Sequence, residues 1–103
     1  MKRVMIFGNT LDRARLKLNQ LHEAVENCDG EVVIKRTRDT LKTNLREFVA
    51  VAANHQSIGY RASFLYIDEE IPENLLQEVV YPCLSHMGND ELPVEKRIKF
   101  FSL

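Results

Sequence analysis

Hydrophobic and polar positions along the chain alternate between two periods, and the switches between them mark out the elements. "VMIF" (4–7) is a continuous apolar run that ends at Gly8, the pattern of a short strand buried on both faces. After it, Leu11, Ala14, Leu18, Leu21, Val25 and Cys28 recur at steps of three and four. This spacing predicts a helix capped by Asn9 or Thr10 and ended near Gly30, with Arg13, Arg15 and Lys17 on its outward, solvated face, where they could also meet a phosphate backbone. "EVVIKRTR" (31–38) reads as a second strand. Residues 39–53 have a helical composition, but "FVAVA" is short, β-branched and bounded by Thr43-Asn44 and Asn54. The better reading is a hairpin, with strand 31–37 returning as strand 46–52. "SFLYI" (63–67) is the next strand, and Ile71-Pro72-Glu73 opens a second helix with proline at its first position. Pro82 should kink or end that helix, with a further turn to Met87 and Gly88. A polar loop through Asn89, Asp90 and Glu91 then leads to a last strand, "IKFFSL" (98–103).

The order is β-α-β-β-β-α-β. Helices alternating with apolar strands imply an α/β fold, a small three-layer sandwich around a mainly parallel sheet. At 103 residues, residues 1–103 form a single domain with one core. No apolar run approaches the roughly 18 residues that span a bilayer, no signal-peptide pattern precedes the first strand, and Cys28 and Cys83 form no CxxC motif. A cytoplasmic protein with two ordinary thiols and no membrane association is expected. The scattered His22, His55 and His86 suggest surface or capping roles, and Met87 with the Phe100-Phe101 pair suggests core.

Charge changes this picture only in part. The net value of −1 conceals a division: residues 1–61 hold 11 Lys/Arg against 7 Asp/Glu, and residues 62–95 hold 8 Asp/Glu and no Lys or Arg. Lys35, Arg36 and Arg38 alternate sides on a strand, and Tyr60 as the aromatic to accompany them is too little for a base-stacking platform. The sharpest local feature is the strand 63–67 running straight into Asp68, Glu69 and Glu70. In parallel sheets ligands collect beyond the carboxyl ends of strands, so Gly8-Asn9-Thr10, Asp68-Glu69-Glu70 and Ser102 are the ends to watch. A carboxylate fixed at a strand end can hold magnesium, usually through water, and the residue after it can orient or deprotonate an attacking water. Strands also end in acidic loops for no reason beyond reaching solvent.

The residues around those carboxylates sharpen the comparison. "SIGYRASFLYIDEEIPENLLQEVVYPCL" resembles the Walker B region of phage large terminases, the ATPases that drive DNA into procapsids. "VMIFGNTLDRARLKLNQL" is similar to that family's strand and helix after the nucleotide-binding element. "REFVAVAANHQSIGYRA" resembles its strand and loop before Walker B, and "KRIKFFSL" the strand that ends at the coupling motif. The resemblance implies Asp68 as the magnesium-associated acid and Glu69 as the catalytic glutamate. It implies Ser102 at the coupling position and Arg61 in the loop before Walker B, with Asn9 and Thr10 facing the nucleotide. Ile58 stands where the family often has arginine, and Ser63 where an acid is common.

No G-x-x-x-x-G-K-[ST] occurs; Gly8-Asn9-Thr10 offers one glycine and no lysine. No ATP hydrolysis by the chain alone is therefore expected, with magnesium and ATP as cofactors only if a P-loop-bearing terminase polypeptide complements it. The resemblance also implies that a P-loop strand lies mid-sheet beside the Walker B strand, so its absence predicts bare apolar edges. A second polypeptide could supply the missing half, two copies could pair, or the Asp68 strand could close against the last strand. In all three DNA is reached only indirectly, in the host cytoplasm. The rival expectation is a free-standing, non-catalytic phage protein that uses this scaffold to bind a host or packaging protein. A small metal-dependent hydrolase using Asp68, Glu69 and Glu70 by itself is a third.

Overall fold

The computed structural model describes residues 2–57, 59–84 and 92–103. Its framework is one six-stranded sheet: β1 (Lys2–Gly8), β2 (Val33–Arg36), β3 (Thr40–Thr43), β4 (Arg46–Ala52), β5 (Phe64–Asp68) and β6 (Ile98–Phe101), in the spatial order β2-β3-β4-β1-β5-β6. β1 pairs in parallel with β4 and with β5, and β5 in parallel with β6. β2-β3-β4 is an antiparallel meander. Two layers cover the sheet, giving the α/β sandwich that the periodicity implies.

On one face lies α1 (Leu11–Glu26), packed mainly on β1 and β4. Strand alternation sends Val4 and Ile6 to this side, where they meet Ala14, Leu18, Leu41, Phe48 and Ala50. Met5 and Phe7 point the other way, with Leu65 and Ile67, into a cluster closed by Val79, Val80 and Cys83. This two-sided burial is why "VMIF" and "FLYI" are continuous rather than alternating runs.

The second covering segment is one irregular helical stretch. It starts as α2 (Glu73–Leu75), widens into a π turn at Leu76–Val80 and tightens into a 3₁₀ turn at Tyr81–Cys83. Pro82 has no N–H to donate and its ring would strike the carbonyl four residues back, so the regular ladder cannot run through it. Pro72 is the N-cap rather than the first helical residue.

Several expectations shift. The single hairpin 31–37/46–52 is a three-strand meander. "TLKT" forms β3 between the two, so β2 and β4 do not touch. α1 ends at Asn27, before Gly30, which leaves Cys28 exposed and off the helix stripe. A short helix, α3 (Val94–Arg97), leads directly into β6. Phe101 is buried, but Phe100 is 55% exposed, because alternation turns it to the far side of an edge strand. Of the three arrangements open to the sheet, β5 takes the last, closed in register against β6 from Leu65↔Ile98 to Asp68↔Phe101. Its other edge is filled by β1, so among the described residues the outer strands of the sheet are β2 and β6. Ile58, His86, the turn at Met87-Gly88 and the loop Asn89–Glu91 lie outside the described residues.

Candidate functional site

Three parallel strands, β1, β5 and β6, end side by side and bring Gly8-Asn9-Thr10, Asp68-Glu69-Glu70 and Ser102 to one edge. Gly8 is required there by close approach. A Cβ on it would lie 2.3 Å from the Thr10 carbonyl oxygen and 2.5 Å from the Ala14 nitrogen, both backbone. The first turn of α1 therefore sits directly on the end of β1. Thr10 caps it, its Oγ1 accepting from the Arg13 N–H at 3.3 Å. Backbone fills the space above Gly8 that a phosphate cradle would leave open.

Asp68 is the centre of this edge, and its side chain is wholly buried. Its Oδ2 accepts from Arg13 Nε at 2.5 Å and from the Asn9 backbone N–H at 2.9 Å. Its Oδ1 accepts from Arg13 Nη2 at 2.9 Å and from the Glu70 N–H at 3.1 Å. The carboxylate thus ties together the end of β5, the start of α1 and the turn into α2. Burial pushes the Asp68 pKa up. The guanidinium and the two backbone donors more than offset this, leaving the carboxyl below the ordinary carboxylate range. Arg13 also reaches Glu70, 3.1 Å away, and is held more firmly protonated by its bond to Asp68.

Both carboxylate oxygens of Asp68 are doubly engaged, so a magnesium ion would have to displace the Arg13 guanidinium to reach them. Among the described residues no group of three His, Cys, Asp or Glu side chains converges in a way that could hold a metal ion. The residues present therefore do not fit a magnesium–triphosphate group in this arrangement. Glu69 is exposed, its backbone N–H donating to the Phe101 carbonyl at 2.9 Å, which places it beside Ser102. Asn9 and Thr10 share the same edge.

Arg61 does not. It precedes β5 and lies at the opposite end of that strand, whose five residues alone span about 16 Å. There its Nη1 donates to the Tyr60 carbonyl.

The residue that the sequence reading placed wrongly is Arg13. Arg13, Arg15 and Lys17 are not a solvated face: Arg13 clamps Asp68, Arg15 donates to Asp39 at 2.5 Å, and Lys17 Nζ lies 5.6 Å from the Tyr66 ring centroid. Arg13 lies three residues after the N-cap, on a helix that starts beside β5. Its position in the first turn was the available signal.

Among the described residues no helix is long and apolar enough to cross a membrane. Compared with family models, with curated proteins and with solved structures, the chain finds no match.

Proposed function

We propose that this protein acts by binding rather than by catalysis, as a free-standing module on a nucleotide-hydrolase-like scaffold that engages a partner protein. One observation carries the non-catalytic part of this reading. The acid that would serve chemistry, Asp68, is buried and saturated by Arg13 and two backbone N–H groups. A buried carboxylate satisfied in this way is a structural hub. It has no free lone pair with which to position a metal ion. The filled space above Gly8 supports the same conclusion, since a triphosphate needs open backbone N–H groups there.

A second reading keeps the chain as the Walker B half of a phage DNA-packaging ATPase, hydrolytic only with a P-loop polypeptide. The placement of Asp68 and Glu69 at the carboxyl end of an interior strand, with Ser102 beside them, favours it. Against it, β1 occupies the place beside β5 that the resemblance gives to the P-loop strand. A complementing strand would have to displace β1 or join at the edge of β2 or β6.

ATP hydrolysis by the chain mixed with P-loop fragments of large terminases separates the two. The binding module gives no phosphate release above that of the fragment, and Glu69→Gln changes nothing. Release that depends on this chain and disappears in Glu69→Gln would overturn the module and establish the ATPase half.

A further inference from the structure

At the amino ends of the same strands lies a second site of different chemistry. α1 packs mainly on β1 and β4, and over the adjoining β5–β6 surface its Lys17 reaches the carboxyl-end rings, Nζ 5.6 Å from the Tyr66 centroid and 5.5 Å from that of Phe101. Pairing in register brings Val4 opposite Phe64 and Tyr66 opposite Lys99, and sets Lys2 beside Arg46. The result is a cleft of about 590 Å³, within the size range of small-ligand sites, with the half-buried rings of Phe64 and Tyr66 in its wall.

Among the described lining residues its charge is mainly positive. Lys2, Lys96 and Lys99 line it, all exposed, and none has a carboxylate within ion-pair distance among the described residues. Glu31 is the acid among the described lining residues. Arg46 takes both of its oxygens, at 2.9 and 3.1 Å, and the Thr43 hydroxyl donates to it as well. The whole chain has a net charge of −1, so this excess of cations is local and not a general basicity. The Lys2 ammonium lies 5.3 Å from the Phe64 ring centroid, an exposed cation beside an aromatic face.

Free ammonium groups around aromatic rings suit a ligand that has both a phosphate and a flat π-system. We infer that this cleft binds a nucleotide unit, its base against Phe64 and Tyr66 and its phosphate among Lys2, Lys96 and Lys99. The same unit can come from a free mononucleotide or from one residue of a single strand. This site is at the other end of β5 from Asp68 and does not depend on the function proposed above.

The test uses the full chain at low salt with three probes: a fluorescent short oligothymidylate, thymidine monophosphate and pyrophosphate. Backbone amide shifts locate binding, and melting curves verify that each variant folds. The expected shifts fall at Lys2, Phe64–Tyr66 and Lys99, and spare Gly8–Thr10. Lys2→Glu with Lys99→Glu weakens binding about tenfold or more, and Phe64→Leu, which keeps the apolar bulk but removes the ring, about fivefold or more. For the oligothymidylate, log affinity falls with log salt at a slope of about −0.7 or steeper, at about 0.7 per phosphate neutralised.

Thymidine monophosphate that competes with the oligothymidylate identifies a free-nucleotide site, and binding of the oligothymidylate alone identifies a strand. Pyrophosphate competing as well as thymidine monophosphate would overturn the inference, since the rings would then read nothing. So would the absence of binding by either nucleotide probe, or shifts confined to the Asp68 edge.

Discussion

Replacing Asp68 by asparagine separates a structural hub from a chemical group, because the two roles predict opposite effects on stability. In the folded protein the carboxylate is fully buried and accepts four hydrogen bonds, two of them from Arg13, whose side chain is 22% exposed. Asparagine retains one acceptor oxygen and turns an NH₂ group towards donors. The Arg13 guanidinium can swing into water, but at least one backbone N–H, of Asn9 or Glu70, is left without its partner. Hydrogen bonds to a charged group contribute about 1.5–3 kcal/mol each, and a buried donor left unpaired costs about 1–3 kcal/mol. Allowing for Arg13 regaining water, the net loss is about 2–4 kcal/mol. Against a total of roughly 5–15 kcal/mol for a domain of this size, that is a large share.

At about 4–8 °C per kcal/mol, the melting temperature of Asp68→Asn should fall by about 8–32 °C, read by circular dichroism. A carboxylate kept for a metal ion would be under electrostatic strain in the free protein, and neutralising it would leave stability unchanged or raise it. A variant melting within about 2 °C of the parent would therefore refute the hub.

Other consequences are simpler to measure. Gly8→Ala should destabilise by about 1–3 kcal/mol, since the added Cβ meets the backbone of Thr10 and Ala14, with urea unfolding as the readout. Stability should fall on acidification. Asp68 is held below its ordinary pKa by Arg13 and backbone donors against the upward push of burial, and Glu31 by Arg46 and the Thr43 hydroxyl. Such groups contribute fully above their unfolded values of about 4, and that contribution is lost as pH falls through the lower folded values. Glu31→Gln should accordingly flatten the acid limb of a stability–pH curve below about pH 5; an unchanged slope would contradict the pairing with Arg46. A thiol reagent should label Cys28 quickly, because it is exposed. Cys83 should react only on unfolding, since it is buried and burial pushes its thiol pKa up; two equally fast thiols would contradict the packing around Val79 and Val80.

Much of the fold is legible in the residues because burial on both faces leaves a continuous apolar signature, as in "VMIF" and "FLYI". The switch to a period of three and four likewise marks α1 with Thr10 as its cap. β3 was hidden because "TLKT" buries only alternate residues and offers no β-branched run; its partners, not its own pattern, make it a strand. The π turn at Leu76–Val80 follows from Pro82, whose position foretells a break but not its geometry. At the candidate site the sequence brought Asn9, Thr10, Asp68, Glu69 and Ser102 to one edge, since chain order and strand direction decide that. It misplaced Arg13, because the rotation of α1 against β5 is a matter of packing. It also missed the grouping of Lys2, Phe64, Tyr66 and Lys99, residues far apart in the chain that only strand register unites.

The proposed non-catalytic role requires the Arg13 clamp to close Asp68 to metal. It is tested most directly by titrating the intact protein with magnesium while observing the side-chain carboxyl carbons of Asp68, Glu69 and Glu70 by NMR. The account predicts no saturable shift at Asp68, whose resonance stays that of a buried, hydrogen-bonded carboxylate, and only weak, parallel drifts at the exposed Glu69 and Glu70. A saturating shift at Asp68, accompanied by release of the Arg13 guanidinium, would contradict it.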